Sequence, residues 1–195
     1  MLSPTEVRAR YERIRSEVGP DVTIVAATKY VPLPEMAVLV EAGIEVVGEN
    51  RAQDLEAKHA AYGDAFRWHF IGRLQSNKAK VVNRCCELVH SLDSLSAVQR
   101  LEVPALVQVN LAGEASKGGV EPAEIAAFLG YDVRGLSIMP PFAHDPEASR
   151  PWFARLRELA AEHGLEQLSM GTTQDYRVAV EEGATAIRVG SVLFR

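Results

Sequence analysis

The sequence predicts an α/β fold, and three observations carry that prediction. From Val22 onward, eight short apolar runs alternate with longer segments of helical period, the pattern of repeated βα units. The runs lack polar alternation, so each reads as a strand buried on both faces of a parallel sheet. Only Val192-Leu193-Phe194-Arg195 follow the eighth run, which leaves the final helix short or missing. Eight strands with seven clear crossovers fit a single-domain (β/α)8 TIM barrel over residues 1–195 better than an open sheet.

The elements follow in order. Pro4–Val18 is polar and amphipathic, which makes it an extra N-terminal helix rather than a signal peptide. It is expected to pack in place of the missing last helix or to close the barrel floor. Val22–Thr28 is the first strand, and Pro34 opens the helix Pro34–Ala42, which Gly43 stops. Ile44–Gly48 follows, with Asn50 able to cap Arg51–Ala60. Trp68–Ile71 precedes the helix Ser76–Asn83, which Ser76 can cap; Leu88–Ser91 precedes Ser94–Leu101. Ala105–Asn110 leads to Pro122–Gly130, and Gly135–Ile138 leads to Ala148–His163 before Gly164. Leu168–Met170, the helix Gln174–Glu181, Gly183 and Ala186–Val189 complete the set.

Composition narrows the function. The 195 residues are 47% hydrophobic and 24% charged, enough for one substantial core. Twenty-one basic against 26 acidic residues give a net charge of -5 without blocks of like charge, so no nucleic-acid partner is expected. Cys85 and Cys86 are adjacent without a second pair at zinc spacing, and His59, His90, His144 and His163 show no ligand spacing; no metal is expected. No apolar run reaches membrane-spanning length, so a cytoplasmic protein without a membrane partner is expected.

Lys29 ends the first apolar run, where barrel residues face the mouth. An amine there can form a Schiff base with an aldehyde when neutral, and removing its proton at pH 7 costs roughly 4–5 kcal/mol from an ordinary lysine pKa. Apolar surroundings lower that cost. The competing reading is a solvated lysine that begins the loop Tyr30-Val31-Pro32. Near the other end, Ser169-Met170-Gly171-Thr172-Thr173-Gln174-Asp175 runs from strand through a glycine turn into a helix that Thr172 or Thr173 can cap, and Arg188-Val189-Gly190-Ser191 ends the eighth strand. Loops after strands seven and eight are the frequent phosphate site of such barrels, although caps and tight turns explain the same residues. A lysine facing a phosphate cradle suggests a phosphorylated aldehyde: pyridoxal 5'-phosphate, or a sugar phosphate in an aldolase-type site.

Ala26-Ala27-Thr28-Lys29, Gly48-Glu49-Asn50, the segment Trp68 to Lys78 (WHFIGRLQSNK), Val107-Gln108-Val109-Asn110, Ser116-Lys117-Gly118-Gly119, Ser169-Met170-Gly171 and Arg188-Val189-Gly190-Ser191 together resemble the pyridoxal-phosphate homeostasis proteins. The resemblance covers nearly the whole chain and is most specific at His69–Lys78. It implies a barrel similar to the N-terminal domain of alanine racemase, with Lys29 as the Schiff-base lysine and Arg188 at the pyridine nitrogen. It also implies Ser169, Thr173, Gly190 and Ser191 around the phosphate, with Gly171 among the cofactor-binding residues. The chain departs from the family pattern at Thr172-Thr173-Gln174-Asp175, where Met-Ser-Asp-Asp is usual: Thr173 keeps a hydroxyl, whereas Gln174 cannot carry negative charge.

Asn50 reads equally as a contact to the cofactor ring and as a helix cap. His69, flanked by apolar neighbours, reads first as a core histidine, and Met139-Pro140-Pro141 as either a wall of the mouth or a backbone constraint. The leading expectation is a monomeric protein that binds pyridoxal phosphate through Lys29 and serves vitamin B6 homeostasis, with apo forms of pyridoxal-phosphate enzymes as partners. No residue is assigned a catalytic role. The alternative is an amino-acid racemase, but the second base that racemisation requires comes in alanine racemase from an added domain and a partner subunit, and the chain is too short for that domain. A Schiff-base aldolase would have no use for arginine at a ring nitrogen.

Overall fold

The computed structural model describes residues 3–113 and 118–195. Strands β1 (Thr23–Ala27), β2 (Val46–Glu49), β3 (Arg67–Phe70), β4 (Leu88–Leu92), β5 (Ala105–Val109), β6 (Val133–Ile138), β7 (Gln167–Thr172) and β8 (Ala186–Val189) close into a barrel in sequence order. All neighbours are parallel, and β8 returns to β1 with Val25 beside Arg188. The helices are α1 (Pro4–Val18), α2 (Met36–Glu41), α3 (Ala52–Tyr62), α4 (Ala79–Cys85), α5 (Leu95–Val98), α6 (Arg150–Glu162), α7 (Tyr176–Glu181) and α8 (Ser191–Phe194). Thus the barrel, the N-terminal helix and the vestigial last helix are as expected. Among the described residues, no helix is long and apolar enough to cross a membrane.

α1 takes the place on the barrel wall that the short α8 leaves open. It packs against α2, α7 and α8, with Arg10 donating to the Leu193 carbonyl at 3.1 Å and Arg177 bridging to Glu17 at 3.0 Å. The shell between strands and helices is mostly apolar. Phe153, Leu156, Leu136, Ile138 and Met170, all buried, belong to it, and burying each such side chain contributes about 1.5–3 kcal/mol.

Several helices are shorter than their sequence patterns. Leu33–Glu35, Ser76–Lys78 and Pro146–Ser149 form 3₁₀ turns leading into α2, α4 and α6. Pro122–Phe128 is wholly 3₁₀, with a capping box between Glu121 and Glu124; Ile125 and Phe128, three apart, are both buried, as the threefold period of such a helix permits. Asn50 does not cap α3, because Arg51 occupies the cap position, and Gln75 rather than Ser76 precedes the 3₁₀ turn. β7 continues through Gly171 to Thr172, so neither Thr172 nor Thr173 caps the next helix. Asp175 occupies that position, and its Oδ1 accepts from the Thr172 N–H at 2.7 Å and hydroxyl at 3.0 Å, closing the turn.

The lumen of the barrel carries a polar strip. His69 Nδ1 lies 2.8 Å from His90 Nε2, and His90 Nδ1 lies 2.7 Å from Ser169 Oγ. β4 and β7 are not neighbours in the sheet, so these groups meet through the interior.

Candidate functional site

The C-terminal ends of the strands open into a cleft of about 770 Å³, a volume suited to a small molecule. Lys29 and Tyr30 line it after β1, Asn50 after β2, Ile71 and Gly72 after β3, and Met139 after β6. Thr172, Thr173 and Gln174 come from the end of β7, and Arg188, Gly190 and Ser191 from β8 and the turn beyond. The cleft therefore gathers Lys29, Asn50, Thr173, Arg188, Gly190 and Ser191 from four different strand ends. Gly72 is required by close approach: a Cβ there would overlap the Asn50 backbone.

Lys29 is exposed at the mouth, its Nζ 5.0 Å from the centroid of the Tyr30 ring. The polypeptide alone therefore does not surround the amine with the apolar groups that would lower the cost of its deprotonation. Tyr30 is itself 78% exposed, and both residues line the cleft at its open edge.

Arg188 is the opposite case, a guanidinium buried at 6% exposure in β8. Its Nη2 donates to the Ile138 carbonyl at 2.6 Å and touches Met139 Sδ at 3.2 Å. Burial lowers its pKa to about 10 against the opposing influence of Asp175, and it remains a cation at neutral pH. Its Nε is buried without a partner among the described residues. An unpaired buried donor costs about 1–3 kcal/mol, and an acceptor brought in by a ligand would relieve it. A pyridine-type nitrogen without a proton is such an acceptor.

The phosphate-type corner is built by Thr173. Its hydroxyl oxygen accepts from the Gly190 N–H at 3.2 Å and the Val192 N–H at 3.4 Å, tying the β7 loop to the start of α8. The two amides are thus taken up by the Thr173 oxygen, which leaves the Thr173 hydroxyl hydrogen to donate to an anion at this corner. Gln174 is not spare: it donates to the Ala143 carbonyl and anchors the loop after β6.

Two expected residues are not brought to the cleft. Ser169 is completely buried and bonded to His90 in the lumen, because it sits mid-strand, below the mouth. Gly171 faces α7: with φ at 90°, a Cβ there would stand 2.5 Å from Ala179 Cβ. Ser116 and Lys117 lie outside the described residues. Sequence reasoning missed the wall made by Ile71 and Gly72, although both belong to the most specific segment of the resemblance. It also missed the buried Glu49–Lys58 pair behind β2, for which the embedded acid in Gly48-Glu49-Asn50 was the available signal. No cluster of potential metal ligands occurs among the described residues.

Fold and cleft define a small-molecule-binding β/α barrel with its site at the C-terminal mouth. Comparison with known proteins narrows that class. Residues 2–195 match the family described as alanine racemase, N-terminal domain. A pyridoxal phosphate homeostasis protein of Aquifex aeolicus is 39% identical over 194 residues, covering 88% of this chain and 85% of the relative. Its namesake in Pseudomonas aeruginosa is 36% identical, covering 97% and 92%. PipY of Synechococcus elongatus PCC7942, solved with PLP bound, superposes with a TM-score of 0.88 at 33% identity, covering 97% of this chain and all of PipY. The chain belongs to the pyridoxal phosphate homeostasis proteins, a group within the alanine racemase N-terminal-domain family.

Proposed function

We propose that this protein binds pyridoxal 5'-phosphate as a Schiff base on Lys29 and serves vitamin B6 homeostasis as a cytoplasmic, monomeric carrier that supplies apo-enzymes. The observation that carries the reading is that Arg188, whose buried Nε has no partner among the described residues, lines the same cleft as Lys29 and the Thr173–Gly190 corner. The names of the relatives and the PLP in PipY support the cofactor. Lys29 supplies the amine, Thr173, Gly190 and Ser191 hold the phosphate, Asn50 contacts the ring, and Arg188 donates to the ring nitrogen.

When bound, such a cofactor supplies an aldehyde and an electron-accepting ring, whose strength depends on protonation of the ring nitrogen. Arginine is a donor at neutral pH and favours the unprotonated nitrogen, which leaves the ring a weak electron sink. This supports a carrier over a racemase. The test is to load the protein with pyridoxal phosphate, confirm an imine absorption band, add L-alanine and follow chirality. The carrier reading expects the band with little D-alanine. Turnover at about 1 s⁻¹ or faster would contradict it and restore the racemase.

A further inference from the structure

Behind the wall of the cleft lies an ion pair that the cofactor-binding reading does not use. Glu49, the last residue of β2, is fully buried, and Lys58, on α3, is 6% exposed. Lys58 Nζ stands 2.5 Å from Glu49 Oε1 and also donates to the Thr28 carbonyl at 2.8 Å. The Thr28 hydroxyl donates to the same Glu49 Oε1 at 2.5 Å. Thr28 is fully buried and immediately precedes Lys29. Glu49 Oε2 has no partner among the described residues.

Such a pair is a poor way to stabilise a fold, because desolvating two charges offsets most of their attraction and apolar residues of similar volume often do as well. What distinguishes this one is its target. The carbonyl that Lys58 holds is half of the peptide joining Thr28 to Lys29, and the Thr28 N–H is fixed on the Gly48 carbonyl at 3.0 Å. Thr28 is therefore held at its amide, its hydroxyl and its carbonyl. Lys29 beyond it is an exposed, flexible chain whose reach into the cleft depends on the direction in which its backbone leaves the strand.

We propose that Glu49 and Lys58 are positioning residues for Lys29, locking the Thr28–Lys29 peptide so that the amine is directed into the cleft. The proposal rests on Lys29 as the imine former. In that reaction the neutral Nζ adds to the aldehyde carbon, C=N replaces C=O, and the oxygen leaves as water without any redox change.

The test compares the unaltered protein, the double variant Glu49→Gln/Lys58→Met, which leaves no buried charge alone, and Thr28→Val, which keeps the ion pair. Each is titrated with pyridoxal phosphate, reading the imine band, and with pyridoxine phosphate, whose alcohol cannot form an imine. The double variant is expected to melt cooperatively and to bind pyridoxine phosphate within about twofold of the parent. Its imine-formation constant should fall about tenfold, equivalent to about 1.4 kcal/mol. Thr28→Val should lose about threefold, within the range of one hydrogen bond, and decides the matter alone if the double variant does not fold. Unchanged imine constants overturn the proposal, as does an equal fall in pyridoxine phosphate affinity, which would mean a general deformation of the cleft. If the unaltered protein binds both ligands but forms no imine on Lys29, the Lys29 reading fails and this inference with it.

Discussion

Acid should destabilise this barrel before most of its carboxylates titrate. The lumen holds His69 and His90 in direct contact, and burial, reinforced by the charge of Arg67, lowers the His69 pKa from 6.5 to about 4. Burial holds His90 well below the ordinary histidine range, with His69 and Arg188 adding to the effect. Both rings are neutral in the folded protein at pH 7, whereas in the unfolded chain each titrates near 6.5. Below that pH the unfolded state takes up protons that the folded state refuses, so stability present at higher pH is lost as the pH falls, down to the folded-state pKa. Between about pH 7.5 and about pH 5.5, linkage gives a loss of about 1.4 kcal/mol per histidine, or nearly 3 kcal/mol for the pair. The assay is urea unfolding across that window, comparing extrapolated free energies. Glu17, Glu147 and Glu182, whose pKa values are lowered by arginine partners, lose their contribution below the ordinary carboxylate range and leave the window clear. A stability constant to within about half a kcal/mol would refute the neutral buried pair, as would an undiminished pH slope in His90→Asn.

Gly171→Ala should cost about 1–3 kcal/mol, because its φ of 90° disfavours a side chain and the new methyl would press on Ala179 and Tyr176; a thermal melt identical to the parent's would contradict the close packing of β7 on α7. Pyridoxal without its phosphate should bind at least about tenfold more weakly by calorimetric titration, since it forgoes the charge-assisted bonds of the Thr173–Gly190 corner. Equal affinities would make that corner a structural tie only.

The strands were legible because parallel strands buried on both faces read as unbroken apolar runs, and β8 matches its expected bounds, Ala186–Val189. Lys29 and Arg188 were legible as strand-end residues for the same reason. Helix lengths were not: Ser94–Leu101 shrinks to Leu95–Val98 because periodicity does not register how few turns a barrel needs to return the chain. Ser169 was misplaced because a phosphate loop and a lumen position both call for a small hydroxyl, and only the length of β7 separates them. For the Glu49–Lys58 pair the sequence offered the acid in Gly48-Glu49-Asn50 but not its partner, because that depends on how α3 docks on the end of β2, which neither segment encodes alone.

The identity of the imine-forming lysine decides whether the cleft binds pyridoxal phosphate in the way proposed. The protein loaded with pyridoxal phosphate is reduced with borohydride, digested and mapped by mass spectrometry, and the pyridoxyl group is expected on Lys29, with the imine band lost in a folded Lys29→Ala variant. A label found mainly on Lys78, Lys117 or another lysine, with the band intact in Lys29→Ala, would contradict the assignment of the cleft.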